Sequence, residues 1–481
     1  MNILLIHPPD NKNSIGPGRL EPLGLELLAA TVPDHHTEIL DMRFDGFRKL
    51  EKQLDSFQPT IIGITVNNTI HVRQSIRLLN WIRDRHPRIT TLVGGHHPTV
   101  MPQDFHLPSV DYIFLGWAEK SFPEFIHCFY EDRSVDHIPG LEILDKGKVN
   151  SRNENLWNLK PADIPFPRRE LVYNKRKRYR SDMGFLTALV NTTRGCANRC
   201  IFCSVWNATD GNLLLRNLYD VFEEIAALPN NIRRVFFADD NTFIKTDYAA
   251  KLCQLIRDAG IKKKYSAYCR SDTIIKNPGL MQEWKNIGLD NLCVGMETTD
   301  NLMLEKFNKK NDVRNNEEAA RILNKIGIPF RPHFLIDPSF EQADFARIEA
   351  YVQKLRLKSP IFPILTPIPG SLYYEEMKKH ISLNYDYFDY AHAVTPTKLD
   401  PALFYRKWKC LFTKSYPIWK SLLCCFKRNL GRLTGDKQMV EENYHYNLLN
   451  LLILNVISVF LTMKIKKHCR ALKSGALQIS S

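Results

Sequence analysis

Three cysteines lie close together near the middle of the chain, at Cys196, Cys200 and Cys203. Thiolates are soft ligands, so this group suits an iron–sulfur cluster or zinc. A structural zinc site normally closes with four protein ligands, and no nearby cysteine or histidine pair has the spacing to supply the fourth. Three thiolates on a four-iron cluster leave one iron open to a chelating molecule. The spacing therefore favours a 4Fe–4S cluster over zinc and over a chance grouping of core cysteines.

Charged side chains end three later segments that have the pattern of buried strands. Each is weak evidence alone, because Asp and Arg at a strand end often cap the next helix. Together, at successive strand ends, they favour a ligand site, in which the carboxylates could accept hydrogen bonds from an ammonium group. These candidates are Asp239, Asp240, Arg270, Asp272 and Glu297.

A second set of candidates lies at predicted strand and helix ends in the first 120 residues. Glycine at a strand end lets the backbone approach a bulky ligand closely. The alternative interpretation is ordinary turn chemistry in a parallel sheet. The candidates are Gly24, Thr65, Asn67, Gly94, Gly95, His96, Gly116 and Glu119.

Short apolar segments alternate with helical patterns over residues 1–135, and this alternation predicts a doubly wound, Rossmann-like parallel sheet. The loops at the carboxyl ends of its strands would line one crevice. Its predicted strands are Asn2–His7, Ile61–Val66, Thr91–Val93 and Tyr112–Leu115, and its predicted helices are Leu23–Thr31 and Ile70–Arg85.

A second alternating series predicts a partial (β/α)6 barrel over residues 186–375, with its chemistry at the carboxyl ends of the strands. The cysteine group follows the first of these strands. The six predicted strands are Thr187–Asn191, Arg234–Ala238, Tyr265–Tyr268, Asn291–Gly295, Phe330–Ile336 and Ile361–Leu365.

Two segments lie outside these predicted domains. Prolines interrupt residues 136–185, and this pattern predicts a linker. We expect the basic run 175–178 within it to be solvated. Residues 376–481 predict a mainly helical, basic C-terminal region. Within it, residues 401–481 hold 14 Lys and Arg against 3 Asp and Glu, a net charge of +11 in a chain of +14. The apolar run Leu448–Met463 favours equally an interfacial helix on an anionic membrane and a helix docked on the protein.

The bulk composition fits a globular protein, with 44% hydrophobic and 25% charged residues. The N-terminus has no basic leader before its short apolar run, so we expect a cytoplasmic protein, peripheral at most to the inner face of the membrane. The basic C-terminal region contains no recognisable nucleic-acid motif, so we expect no nucleic-acid partner.

The spacing C-x3-C-x2-C, with Phe202 before the last cysteine, resembles the radical S-adenosylmethionine (SAM) superfamily. The resemblance implies that SAM chelates the open iron and is cleaved to a 5′-deoxyadenosyl radical, with electrons from a flavodoxin- or ferredoxin-like donor. It also implies that Phe202 shields the cluster and contacts the adenine. The pair Asp239 and Asp240 would approach the methionine amino group, and the third strand end would contact the ribose and carboxylate.

The parallel sheet ahead of such a barrel resembles the cobalamin-binding subclass of these enzymes. The Asp-x-His-x-x-Gly signature of proteins with a histidine ligand to cobalt is absent, as in many members of the subclass. The last loop of the sheet has a single acidic residue, Glu119, where two are more usual.

Within that subclass the chain resembles the hopanoid methylases that act at carbon three. Three stretches carry this resemblance, at residues 19–26, 362–371 and 392–405. The resemblance implies a radical methylation in which cobalamin carries the methyl group to an unactivated carbon of a lipid. One alternative is a cobalamin-dependent cyclase or rearrangement enzyme. A second alternative is a non-catalytic iron–sulfur or cobalamin sensor.

Overall fold

The computed structural model describes residues 1–11, 19–153, 159–181 and 186–416, which form two α/β units. Across these ranges no helix combines the length and the apolar character needed to cross a bilayer. The expectations for residues 417–481, including the run Leu448–Met463, lie outside the described residues.

The first unit is a seven-stranded sheet with strand order β2-β1-β3-β4-β5-β6-β7. The first five strands are parallel and the last two are antiparallel. Apolar side chains are buried on both faces, as a doubly wound sheet requires. Its strands are β1 (Asn2–His7), β2 (His36–Asp41), β3 (Ile61–Thr65), β4 (Thr90–Gly94), β5 (Tyr112–Phe114), β6 (Leu141–Asp145) and β7 (Lys148–Arg152). Its helices are α1 (Leu23–Ala30), α2 (Phe47–Phe57), α3 (Val72–Arg85), α4 (His96–Val100) and α5 (Ser121–Tyr130).

The second unit is built on a five-stranded parallel sheet with order β14-β13-β12-β11-β8. Its strands are β8 (Thr187–Val190), β11 (Arg234–Phe237), β12 (Lys264–Arg270), β13 (Leu289–Glu297) and β14 (Phe330–Phe334), with a small pair, β9 (Thr193–Arg194) and β10 (Leu214–Leu215). The predicted sixth strand forms two isolated parallel bridges, at Ile361 and Ile364. The helices are α6 (Val205–Ala208), α7 (Leu218–Ala227), α8 (Thr246–Asp258), α9 (Ser271–Lys276), α10 (Pro278–Ile287), α11 (Asn301–Lys306), α12 (Val313–Ile326), α13 (Gln342–Lys354), α14 (Leu372–Met377) and α15 (Pro401–Ser415).

The prediction of a linker over residues 136–185 was wrong in two respects. Strands β6 and β7 extend the first sheet, and Leu141, Glu142 and Leu144 of β6 are buried there. The basic run is solvated only at Lys177 and Arg178, whereas Arg176 is 5% exposed and forms an ion pair with Glu21. Lys175 pairs with Asp45. The first unit thus supplies acidic partners to two residues of the run.

A buried ion network joins this segment to both units. Glu21 precedes α1 and accepts hydrogen bonds from Arg169, Arg176 and the backbone N–H of Leu189, the last at 2.6 Å. Arg169 also donates to Glu224 of α7 at 2.5 Å. The network therefore fixes the first unit against the barrel at the point where β8 leads to the cysteine group.

Glu26 lies beside this network, where neither carboxylate oxygen accepts a hydrogen bond from a described residue and the Arg169 guanidinium is 3.7 Å away. Burial raises the pKa of Glu26 from 4.5 to about 7, so the carboxyl stays protonated to a higher pH in the folded state than in the unfolded state. The contribution of Glu26 to stability should therefore be greatest below pH 4.5 and fall by about 3 kcal/mol as the pH rises from 4.5 to 7. We expect Glu26→Gln to remove this fall, so that the variant melts at a higher temperature than wild type at pH 8 but not at pH 4.5. The exposed Glu170→Gln serves as the control, and an equal gain from both variants would contradict the account.

Candidate functional site

The cysteine group lies in the loop after β8. Gly195 opens the loop with a φ of +80°, and a Cβ there would collide with the Asn212 carbonyl oxygen. Burial raises the pKa of the Cys200 thiol, and it raises the pKa of Cys203 to about 12. Both groups would stay protonated without compensating positive charge, which bound irons supply when they hold thiolates. No three side chains of the described residues could hold a single metal ion. The fit is instead to a cluster in which each thiolate binds its own iron.

Asp239 is hydrogen-bonded to the residues that precede this loop. Its carboxylate accepts hydrogen bonds from the Thr192 backbone N–H at 2.7 Å, the Thr192 hydroxyl at 2.6 Å and the Thr193 backbone N–H at 3.0 Å. It therefore positions the backbone that leads into the cysteines. Its neighbour Asp240 lines the cavity described below, so the structure assigns the two acids to different places.

The stretch at residues 362–371 holds the other side of the cysteine loop. The carbonyl oxygen of Gly370 accepts from the Asn207 side chain at 2.8 Å. Just after the stretch, the Tyr373 backbone N–H donates to the Ile201 carbonyl oxygen at 2.9 Å. Phe202 packs edge-on against Phe307, with ring centroids 5.3 Å apart. Phe202 thus joins an apolar cluster beside the cysteines and is absent from the cavity lining.

The candidates at the ends of β12 and β13 are held in two ion pairs. Arg270 donates to Asp272 at 2.9 Å and to the Lys309 carbonyl oxygen at 2.7 Å. The Lys309 ammonium donates to Glu297 at 2.5 Å, and Glu297 itself has a φ of +62°. The two cations lower the pKa of the Cys200 thiol against the larger effect of burial. Lys309 and Arg270 therefore favour negative charge on the sulfur, and Glu297 opposes them.

One cavity lies between the two units, at the carboxyl ends of both sheets. From the first unit it is lined by all eight residues that the sequence singled out there: Gly24, Thr65, Asn67, Gly94, Gly95, His96, Gly116 and Glu119. From the barrel it is lined by Asn191, Thr193, Arg194, Gly195 and Asp240. Its location between β1 and β3 is the topological switch point, where ligands bind in open α/β sheets.

Two contacts tie this cavity to the cysteine loop. The His96 Nε2 lies 2.7 Å from the Ser204 hydroxyl, directly after the last cysteine. Arg194 pairs with Glu119 at 2.5 Å. At the mouth, Gly95 has a φ of +115°, and a Cβ there would lie 2.7 Å from the Asn67 side-chain oxygen. The site requires glycine at this position, which brings the backbone to the cavity edge.

Two residues near the cysteine loop and the cavity were not predicted from the sequence. His7 ends β1 and lines the cavity, so the strand-end argument used for the other strands could have found it. Tyr390 has a φ of +61°, and its backbone oxygen accepts from the Ile364 N–H at 2.7 Å. Its side chain is 48% exposed, and the Cys203 thiol lies within electrostatic range of its hydroxyl. No pattern in the sequence marks Tyr390, because only the folded loop brings it near the cysteines.

Each unit matches a family of known proteins. Residues 16–126 match the B12 binding domain, and residues 190–341 match the radical SAM superfamily. The hopanoid C-3 methylase of Methylococcus capsulatus is 26% identical over 414 residues, which are 84% of this chain and 78% of that protein. The anaerobic magnesium-protoporphyrin IX monomethyl ester cyclase of Cereibacter sphaeroides is 25% identical over 423 residues, 84% of this chain and 68% of that protein.

Solved structures share the fold of both units. The cobalamin-dependent SAM radical enzyme OxsB, with aqua-cobalamin and SAM bound, superposes with a TM-score of 0.68 at 15% identity, covering 97% of this chain and 75% of OxsB. The radical SAM methyltransferase TsrM from Kitasatospora setae, with cobalamin and a 4Fe–4S cluster bound, gives 0.64 at 19% identity, covering 79% and 78%. The order of a parallel sheet followed by a partial barrel is therefore that of cobalamin-dependent radical SAM enzymes.

Proposed function

Because the chain carries a B12-binding domain followed by a radical SAM domain, it belongs to the cobalamin-binding radical SAM enzymes, and we propose that it methylates an unactivated carbon of a polycyclic lipid. The observation that carries this proposal is the shared cavity, which is lined both by the glycine-rich edge of the first sheet and by the cysteine loop. A methyl carrier in the first unit and a radical source in the second would then face the same space.

The residues present fit both cofactors. When bound, the cluster with SAM supplies the radical that activates the carbon, and cobalamin supplies the methyl group. Cys196, Cys200 and Cys203 would hold the cluster, and Asp240, which lines the cavity, would accept a hydrogen bond from the SAM ammonium. In the first unit, the cavity is lined by the apolar side chain of Leu5 and by the backbone of the glycines at the strand ends. This surface suits a large flat cofactor. The reduction of the cluster requires an external electron donor.

The lipid substrate is supported by the resemblance to the hopanoid C-3 methylase over most of both chains. Residues 19–26 and 362–371, which carried that resemblance, are here the residues that fix the two units together and hold the cysteine loop. The basic residues 401–481 would suit attachment to an anionic membrane surface, where such a lipid resides. A cyclase is the second candidate, because the cyclase relative covers the same 84% of the chain.

The test is production of methylated lipid in a bacterial host that makes hopanoids but lacks a methylase of this type. The host expresses either the full chain or the variant with alanine at all three cysteines, and its lipids are analysed by mass spectrometry. We expect polycyclic lipids heavier by one CH₂ group in the first strain and not in the second. Unchanged lipid masses in both strains, with the wild-type protein present and loaded with both cofactors, would exclude this substrate class.

Tyr390 offers a separate prediction about substrate positioning. Its side chain stands near Cys203 on a loop that Asp389 anchors by accepting from the Ala391 and His392 N–H groups. We expect Tyr390→Ala to lower methylated product per 5′-deoxyadenosine by about 100-fold, since a misplaced carbon reacts poorly. Tyr390→Phe should keep most of the coupling if the ring is the positioning element. Both variants should keep wild-type iron content, and equal coupling in Tyr390→Ala and wild type would refute the role.

A further inference from the structure

His7 lies at the carboxyl end of β1 and lines the cavity. Its Nδ1 lies 2.8 Å from the carbonyl oxygen of Pro8. A carbonyl can only accept a hydrogen bond, so Nδ1 carries the proton and Nε2 carries a lone pair. Within the described residues Nε2 has no hydrogen-bond partner. A histidine whose Nδ1–H is held by a backbone carbonyl has the arrangement usual for metal-binding imidazoles.

The charges around His7 keep the ring neutral. Burial, with the nearby Arg43 guanidinium, lowers the pKa of His7 to about 3, and Asp41 opposes that effect. Arg43 donates to Asp41 at 2.9 and 2.7 Å, so its charge is already compensated. The His71 ring packs edge-on at 5.3 Å, and its Nε2 faces Asp10 at 3.8 Å. A neutral imidazole is the form that binds metals.

His96 is the other histidine that lines this cavity, and it faces a different direction. Its Nε2 contacts Ser204 in the cysteine loop, whereas His7 contacts residues of the first unit alone. The barrel side of the cobalt must stay open to the substrate, so a protein ligand should come from the sheet side. His7 meets that requirement and His96 does not.

We propose that Nε2 of His7 is the axial ligand that the protein gives to the cobalt of bound cobalamin, on the face turned toward the first unit. This inference rests on the cobalamin-dependent function proposed above. It does not depend on the Asp-x-His-x-x-Gly signature, which this chain lacks. The ligand would come instead from the last residue of the first strand.

The test uses electron paramagnetic resonance of the full chain loaded anaerobically with cob(II)alamin. An axial nitrogen splits each resolved cobalt line into three with ¹⁴N and into two with ¹⁵N. We expect threefold splitting in unlabelled wild-type protein and twofold splitting when only histidine carries ¹⁵N. His7→Ala should lose the splitting, and the matched variant His96→Ala should keep it.

Three outcomes would overturn the assignment. Threefold splitting that persists with ¹⁵N-histidine would identify the cofactor's own base as the ligand, and unsplit lines would mean that no nitrogen binds. Splitting that survives in His7→Ala but not in His96→Ala would move the ligand to His96. The wild-type isotope result does not depend on any variant folding. Methyl transfer is assayed separately, so its loss with the splitting intact would refute the proposed reaction and leave the ligand assignment standing.

Discussion

Replacing Cys196, Cys200 and Cys203 together by alanine is expected to reduce the iron of the anaerobically reconstituted chain from about four per chain to none. The formation of 5′-deoxyadenosine should fall to background with it. The physical reason is that the three thiolates would be the protein ligands of the irons, so their removal leaves the cluster without any of them. Iron and sulfide analysis with the optical spectrum of the cluster would measure the loss.

The matched control is Cys253→Ala. This cysteine is buried in α8 within the barrel core, far from the loop. It should cost some stability as a core truncation, about 1 kcal/mol, while the iron content stays at the wild-type level. Full iron content in the triple alanine variant, with its sheet and helix content unchanged, would contradict the assignment of the cluster.

Gly24→Phe is expected to weaken cobalamin binding by about 10- to 100-fold, because the added ring fills the cavity that the cofactor needs. Gly24 lies in the first turn of α1 and lines the cavity, and a Cβ built there meets nothing within 4 Å. The new side chain therefore enters open space instead of colliding with the protein. A titration of the apo-chain with hydroxocobalamin would measure the affinity.

Gly279→Phe provides the same substitution at an exposed position of α10, where a Cβ also meets nothing within 4 Å. Its affinity for cobalamin should equal that of wild type. The iron content of both variants should be unchanged, because neither residue contacts the cysteine loop. Equal cobalamin affinity in Gly24→Phe and Gly279→Phe would place the cofactor outside this cavity.

The first unit could be predicted well because its ligand edge follows from strand order alone. Parallel strands end at the same edge, so residues after each apolar segment meet there, and Thr65, Gly94 and Gly116 do line one cavity. The strand at His36–Asp41 was not predicted, because polar residues at its start obscure the apolar pattern. Strands β6 and β7 were also missed, and β7 is largely exposed and therefore has no apolar pattern.

The barrel side was harder to predict because side-chain direction decides which strand-end residues reach the cavity. Asp239 and Asp240 are neighbours in sequence, yet one supports the cysteine loop and the other lines the cavity. Arg270 is occupied by Asp272 and a backbone oxygen. Contacts between distant segments, such as that of Glu21 with Arg176, have no periodic signature in the chain.

The most direct test of the central claim is a count of both SAM products from one reaction. The reconstituted full chain is supplied with SAM, a reductant, cobalamin and a polycyclic lipid, and S-adenosylhomocysteine and 5′-deoxyadenosine are quantified together. We predict that both form in a ratio near one, and that omitting cobalamin removes the S-adenosylhomocysteine. Turnover of the lipid with 5′-deoxyadenosine but no S-adenosylhomocysteine, with cobalamin bound, would contradict methyl transfer and favour the cyclase.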